Sequence, residues 1–121
     1  ESKFNHAEVE AILLDEKRRI FVSVDENDVV DGYVFCQFRE TEGNGLLKKH
    51  KTLWIEDFCV DENARSGGIG KLLHKTAEEY AIETGCDDLT LNVWGFNSSA
   101  KAFYEANGMS VQRMVMEKIL K

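Results

Sequence analysis

Residues 64–73 read ARSGGIGKLL, with Gly67, Gly68 and Gly70 falling within four positions immediately ahead of an apolar, helix-like pattern. Glycine is costly in regular structure and permissive where backbone must bend or let something approach closely. The first turn of a helix carries unpaired N–H groups and a partial positive charge. Glycines ahead of such a turn let a phosphate reach those N–H groups. One glycine would suit a tight turn alone, whereas three in four residues point to an anion site.

The flanking residues give that site a setting. Upstream, Thr52 to Val60 (TLWIEDFCV) is rich in branched and aromatic residues and reads as a strand. Downstream, Ile69, Leu72, Leu73, Thr76, Ala77 and Tyr80 follow the 3.6-residue period, with Lys71, Lys75, Glu78, Glu79 and Glu83 facing away and Gly85 as a C-cap. Working outward, Ala7 to Leu14 has apolar positions at Val9, Ile12 and Leu13 and reads as the end of a helix. Arg19 to Val24 and Val29 to Arg39 are expected to form a hairpin through the turn DEND, and TEGNG (41–45) to form a loop before the short amphipathic LLKKHK. Asp88 to Trp94 (DLTLNVW) reads as a fourth strand. Asn97 or Ser98 can cap a helix over Ser99 to Ala106, which Gly108 ends. Met109 to Leu120 (MSVQRMVMEKIL) reads as a last strand or pair of strands. The order predicts a mixed α/β sheet with early hairpins and later crossovers, in one domain over 1–121.

Composition narrows the function. The chain has 121 residues, 43% apolar, enough for a core. A net charge of −7 disfavours nonspecific nucleic-acid or membrane binding, which needs a basic surface. The three cysteines (Cys36, Cys59, Cys86) and three histidines (His6, His50, His74) are scattered, so reduced thiols in the cytoplasm and no metal site are expected. No apolar run has the length of a membrane span, and no signal peptide is visible.

Two familiar phosphate loops fit poorly. In the P-loop pattern Gly70-Lys71 would be followed by a magnesium-binding hydroxyl, and Leu72 stands there. The dinucleotide fingerprint would need its third glycine at Leu73 and belongs to the first strand of a parallel unit. Arg65-Ser66-Gly67-Gly68-Ile69-Gly70 matches R/Q-x-x-G-x-G/A, and resembles the acyl-CoA pyrophosphate loop of the GNAT superfamily of N-acetyltransferases. Leu91 to Met109 (LNVWGFNSSAKAFYEANGM) is similar to the family's second hallmark, with Asn97, Ala100, Phe103, Tyr104 and Gly108 in register. The resemblance runs from Arg19 to the C-terminus. Two departures stand out. Only about one helix fits ahead of Arg19, so the family's first strand and helix are expected to be missing. Asp61-Glu62 occupies the place where the family often has proline.

The resemblance implies a GNAT-like fold: a central, mostly antiparallel sheet that splays at the cofactor site, flanked by helices. It implies acetyl-CoA as cosubstrate and direct transfer to a primary amine, whether a polyamine, amino sugar or antibiotic, free amino acid or protein amine. Backbone of Arg65 to Gly70 would hold the pyrophosphate, with added charge from Arg65 and Lys71. Phe58, Cys59 and Val60 would pair with the pantetheine amides, and an N–H near Cys59 or Val60 would polarise the thioester carbonyl. Tyr104 matches the family tyrosine that protonates the departing thiolate. Asn97 would cap its helix and bond the cofactor. Lys101 lies within reach of the 3′-phosphate in that scheme, and Ala100 and Phe103 complete the motif. Phe103 reads as core and Cys59 as a buried strand cysteine.

The amine must lose a proton before attack, and a carboxylate on the central strand is the natural base: Glu56 or Asp57. Simple alternation puts Trp54, Glu56, Phe58 and Val60 on one face and Ile55, Asp57 and Cys59 on the other. The family strand often carries a bulge there, which would break that parity and leaves both candidates open. A non-catalytic acyl-CoA-binding module and a nucleotide-binding module of another fold are the competing readings. Homodimers are common in the superfamily, and strand edges such as MVMEKIL (114–120) could pair between chains.

Overall fold

A computed structural model describes residues 8–43 and 48–121; of the side chains of Glu8, Arg65 and Ser66 nothing is said. The N-terminal residues of the expected first helix, part of the TEGNG loop and the start of LLKKHK lie outside the described residues. Five strands form one sheet in sequence order: β1 (Glu8–Asp15), β2 (Arg18–Val24), β3 (Val30–Thr41), β4 (His50–Val60) and β5 (Asp88–Leu91). The first four pair antiparallel, and β5 pairs parallel to β4. A 3₁₀ turn (Glu62–Gly67) leads from β4 into helix α1 (Ile69–Glu83), and helix α2 (Ser98–Ala106) follows β5.

Two elements differ from the sequence reading. The segment expected to end a helix is β1, paired with β2 from Glu8↔Val24 onward. Its apolar residues suit either period, and the hairpin decides. Asp15 accepts from the Lys17 N–H at 2.8 Å and from Arg18 Nε at 2.8 Å, closing a turn too tight for a helix end. Those contacts also hold the Asp15 carboxyl below the usual range. The expected C-terminal strand is not formed: residues 109–121 have no regular secondary structure. Met114, Val115, Met116, Ile119 and Leu120 are each more than three-quarters exposed. A strand exists only through a ladder partner, and β5, four residues long, offers a short edge.

The core lies between the sheet and α1. Phe21, Val34, Cys36, Leu53 and Ile55 from the strands meet Ile69, Leu73, Ala77 and Ala81 from the helix. Burial of this kind pushes the Cys36 thiol up to about 12, with the Glu56 charge adding to the effect. Gly32 permits the close approach, since a Cβ there would sit 3.0 Å from Leu73 Cδ1 and 3.2 Å from Ile69 Cγ2.

Strand β4 carries the feature on which the site depends. Phe35 pairs with Asp57 and Cys36 with Ile55, so Glu56 is an extra residue, a β-bulge. Before it, Leu53 and Ile55 face α1. After it, Phe58 and Val60 do, packed against the same core. Asp57 and Cys59 therefore fall on the opposite face, where Cys59 is exposed. This corrects the expectation of a buried cysteine: the bulge takes Cys59 off the side that Ile55 occupies.

Candidate active site

Strands β4 and β5 part company early. Their pairing runs from Thr52↔Asp88 to Ile55↔Leu91 and stops. At the opposite end the two strands are tied by the Lys51 N–H to Asp87 at 2.8 Å, the Asp87 N–H to Lys51 O at 2.7 Å, and Thr52 Oγ1 against Thr90 Oγ1 at 3.1 Å. Beyond Leu91 a cleft of about 240 Å³ opens between them. One wall is Ile55 to Phe58; the other is Leu91 to Trp94, with Asn97, Ala100 and Tyr104 closing the end. The expected splay of the sheet is thus present.

The cleft brings together Glu56, Asp57, Phe58, Asn97, Ala100 and Tyr104 of the sequence-derived set. Asn97 caps α2 as expected, its side chain accepting from the Ala100 N–H at 3.1 Å. Tyr104 is anchored by rings: Phe58 on β4 lies 6.0 Å away edge-on, and His74 on α1 lies 6.3 Å away. Its phenol is raised above the ordinary value of 10.0, first by burial and then by the negative charge of Asp57. It therefore stays protonated at neutral pH.

Asp57 is held at both oxygens. Oδ2 accepts from the Tyr33 hydroxyl at 2.7 Å and Oδ1 from its neighbour's N–H, that of Phe58, at 2.9 Å. The same hydrogen bond, with burial and the Asp57 charge, raises the Tyr33 phenol. Sequence reasoning missed Tyr33. Only the bulge makes it a diagonal neighbour of Asp57, because Tyr33 pairs with Cys59 and Phe35 with Asp57.

The glycine stretch sits beside this cleft and does not line it. Asp61 caps the 3₁₀ turn, accepting from the Asn63 N–H at 3.1 Å. Gly68 then turns the chain at φ 81°, in the left-handed region that favours glycine, and leads into α1. Helix α1 has no side-chain cap and no acidic residue in its first turn, so its first N–H groups present a positive end. A Cβ at Gly67 or Gly68 would meet nothing within 4 Å, whereas one at Gly70 would meet the Phe103 ring at 3.2 Å. Gly70 is thus small for packing, and Phe103, as expected, is a packing residue. Ile69 is 8% exposed and belongs to the core. Lys71 is exposed, Lys101 half-buried, and neither lines the cleft; nor do Cys59 and Val60. The charge expected from Arg65, and any part played by the Ser66 side chain, falls on side chains outside the described set.

His74 is the other residue that spacing did not single out as functional. It is 2% exposed, its Nε2 has no hydrogen-bond partner among the described residues, and its ring abuts both Phe103 and Tyr104. Burial lowers its pKa, against a raising effect from Glu78. No group of three or more His, Cys, Asp or Glu side chains among the described residues could hold a metal ion, and no described helix is long and apolar enough to cross a membrane.

Comparison with known proteins agrees with this geometry. The structure is similar to that of a tetramutant of the BH1408 protein from Bacillus halodurans, with TM-score 0.85 and 36% identity over 88% of this chain and 69% of that one. It also shares its fold with the aminoglycoside N-acetyltransferase AAC(6′)-Iy in complex with CoA, with TM-score 0.80 at 13% identity over 98% of each chain. Over 60 residues it is 35% identical to the thialysine N-epsilon-acetyltransferase of Bos taurus; that match spans 50% of this chain and 35% of the relative's length. The model of the acetyltransferase (GNAT) family matches residues 1–109. The chain belongs to the GNAT acetyltransferase family.

Proposed function

We propose that the protein is an N-acetyltransferase that moves an acetyl group from acetyl-CoA to a primary amine by direct attack in a ternary complex. The observation that carries this reading is the cleft between the parted strands, in which Asp57 and Tyr104 line the same space. Bare backbone at Gly67 and Gly68 and the uncapped start of α1 fit a pyrophosphate. The edge of β4 over Glu56 to Cys59, which β5 has left, fits an extended pantetheine arm added like a strand. Bound there, acetyl-CoA supplies an activated acyl carbon.

The chain's own residues then divide the proton work. Asp57 accepts a proton from the acceptor nitrogen, and Tyr104 donates its phenolic proton to the departing sulfur. The raised phenol of Tyr104 keeps that proton available at neutral pH. Glu56, exposed in the bulge at the cleft, adds a second negative charge that favours an ammonium over a neutral acceptor. Two adjacent carboxylates at the cleft, with no Lys or Arg among the described residues that line it, support a cationic amine as the acceptor class.

Calorimetric titration with acetyl-CoA and with CoA tests this, with Gly68→Glu as control. A carboxylate at that turn meets the pyrophosphate directly, and glutamate at φ 81° is also strained. Micromolar-range binding is expected in the wild type and absent in the variant. Thiol release with thialysine, 1,4-diaminobutane and sisomicin then reads transfer. Failure to bind would sink the reading. Binding without turnover of any amine would instead favour an acyl-CoA-sensing module.

A further inference from the structure

The proposed reaction leaves one well-formed interaction unused. Tyr33 stands on β3 with Asp57 diagonally across on β4, and both face away from α1. Their hydrogen bond, Tyr33 Oη to Asp57 Oδ2, is 2.7 Å long, in the range of a charge-assisted O–H···O contact. The other oxygen, Oδ1, is held by the Phe58 N–H. A carboxylate has about four acceptor sites, so these two bonds leave each oxygen able to accept another. Glu56, one residue earlier and also lining the cleft, accepts no such bond among the described residues.

We propose that Tyr33 is a positioning residue: by holding Oδ2 while the backbone holds Oδ1, it locks the rotation of the Asp57 carboxylate and turns its remaining acceptor sites toward the acceptor amine. This rests on the reading of Asp57 as the base. An aspartate at a bulge on an open strand edge would otherwise sample several orientations, and small misplacements of a reacting group are costly in rate. The lock also separates the two adjacent carboxylates. Asp57 is oriented, and Glu56 is left without such a hold among the described residues. The bulge is what makes the lock possible. In an unbroken ladder Asp57 would fall on the α1 side and Tyr33 on the other.

Tyr33→Phe keeps the ring and removes only the donor. With thialysine as the probe amine, kcat is expected to fall about tenfold, within the usual coupling of residues in direct contact. KM for thialysine and the acetyl-CoA dissociation constant stay within about twofold, which also reports that the variant is folded. In an Asp57→Ala background the same substitution costs nothing further. An unchanged kcat, or an equal loss in both backgrounds, would overturn the proposal, since a merely structural tyrosine acts whatever stands at 57. A second readout needs no turnover. In protein carrying ¹³C-labelled tyrosine, the Tyr33 phenol titrates above the ordinary range and moves back toward it in Asp57→Ala. A wild-type Tyr33 that titrates like free tyrosine would remove the lock. Intact acetyl-CoA binding with no amine turned over would instead remove the catalytic reading of Asp57, and the titration would still decide whether Tyr33 holds it.

Discussion

The two α-helices among the described residues are built on different principles. Helix α1 buries Ile69, Leu73, His74, Ala77 and Ala81 against the sheet. Helix α2 buries no residue, yet it carries Tyr104 and is capped by Asn97. The first is packed into the core, and its start, after Gly68, has no side-chain cap. The second is held by ring edges, with Phe103 against Phe58 at 5.9 Å and against His74 at 6.3 Å, and Tyr104 beside them. Core packing and the cleft residue Tyr104 are thereby placed on separate supports, which meet at the cluster of Phe58, His74, Phe103 and Tyr104 and where Gly70 lies against the Phe103 ring.

That separation can be broken first from the α1 side. Leu73 is fully buried, so Leu73→Ala is expected to cost about 3 kcal/mol of stability by transfer and cavity effects together. The midpoint of urea unfolding measures it, and a loss below about 1 kcal/mol would mean that α1 is not the keystone. From the α2 side, Tyr104→Phe keeps the ring packing and removes the hydroxyl proposed as the acid. A fall in kcat of about 100-fold, near 2.7 kcal/mol of barrier, is expected with an almost unchanged melting temperature. Equal losses in both quantities would erase the division between the helices.

The smallest effect comes from their junction. Burial lowers the His74 pKa from 6.5, so the folded state prefers the neutral ring and the unfolded chain takes up a proton first as pH falls. Stability is complete above the unfolded value, declines as pH drops through it toward the lower folded value, and then levels. His74→Leu is expected to remove that part of the decline. Comparing urea midpoints of the two proteins at about pH 7.5 and pH 5.5 isolates it from the carboxylates they share. Parallel slopes would show that His74 does not couple protonation to the packing of α2.

Much of this architecture is legible in the residues themselves. The periodicity from Ile69 gives α1 to within a residue or two, and β2, β3, β4 and β5 lie where branched and aromatic residues concentrate. The run Asn97 to Gly108 points to the end of the cleft, and the glycine stretch to the turn beside it. What is hidden depends on pairing rather than composition. Residues 8–14 suit a helix stripe or a ladder equally, and only the tight turn at Asp15 chooses. Residues 109–121 have strand-like residues without a strand's neighbour. Tyr33 and Asp57 are 24 positions apart, and nothing in either local sequence announces that they touch. His74 looks like any polar residue within the helical run until the sheet and α2 close over it.

The bulge at Glu56 has a consequence for how this strand tolerates change. Side chains along a strand alternate, so its sidedness is a matter of odd and even count. The extra residue resets that count midway, and it does so by length, with little dependence on which amino acid occupies the position. A substitution at Glu56 leaves the reset in place. Loss of Glu56 itself would also keep the sides, since Asp57 would then follow Ile55 in unbroken alternation, outward, with Phe58 and Val60 on the core; pairing Glu56 into the ladder would instead carry Asp57 and Cys59 toward the core and turn Phe58 and Val60 outward. The sidedness of the cleft residues in β4 thus rests on one residue staying out of the ladder.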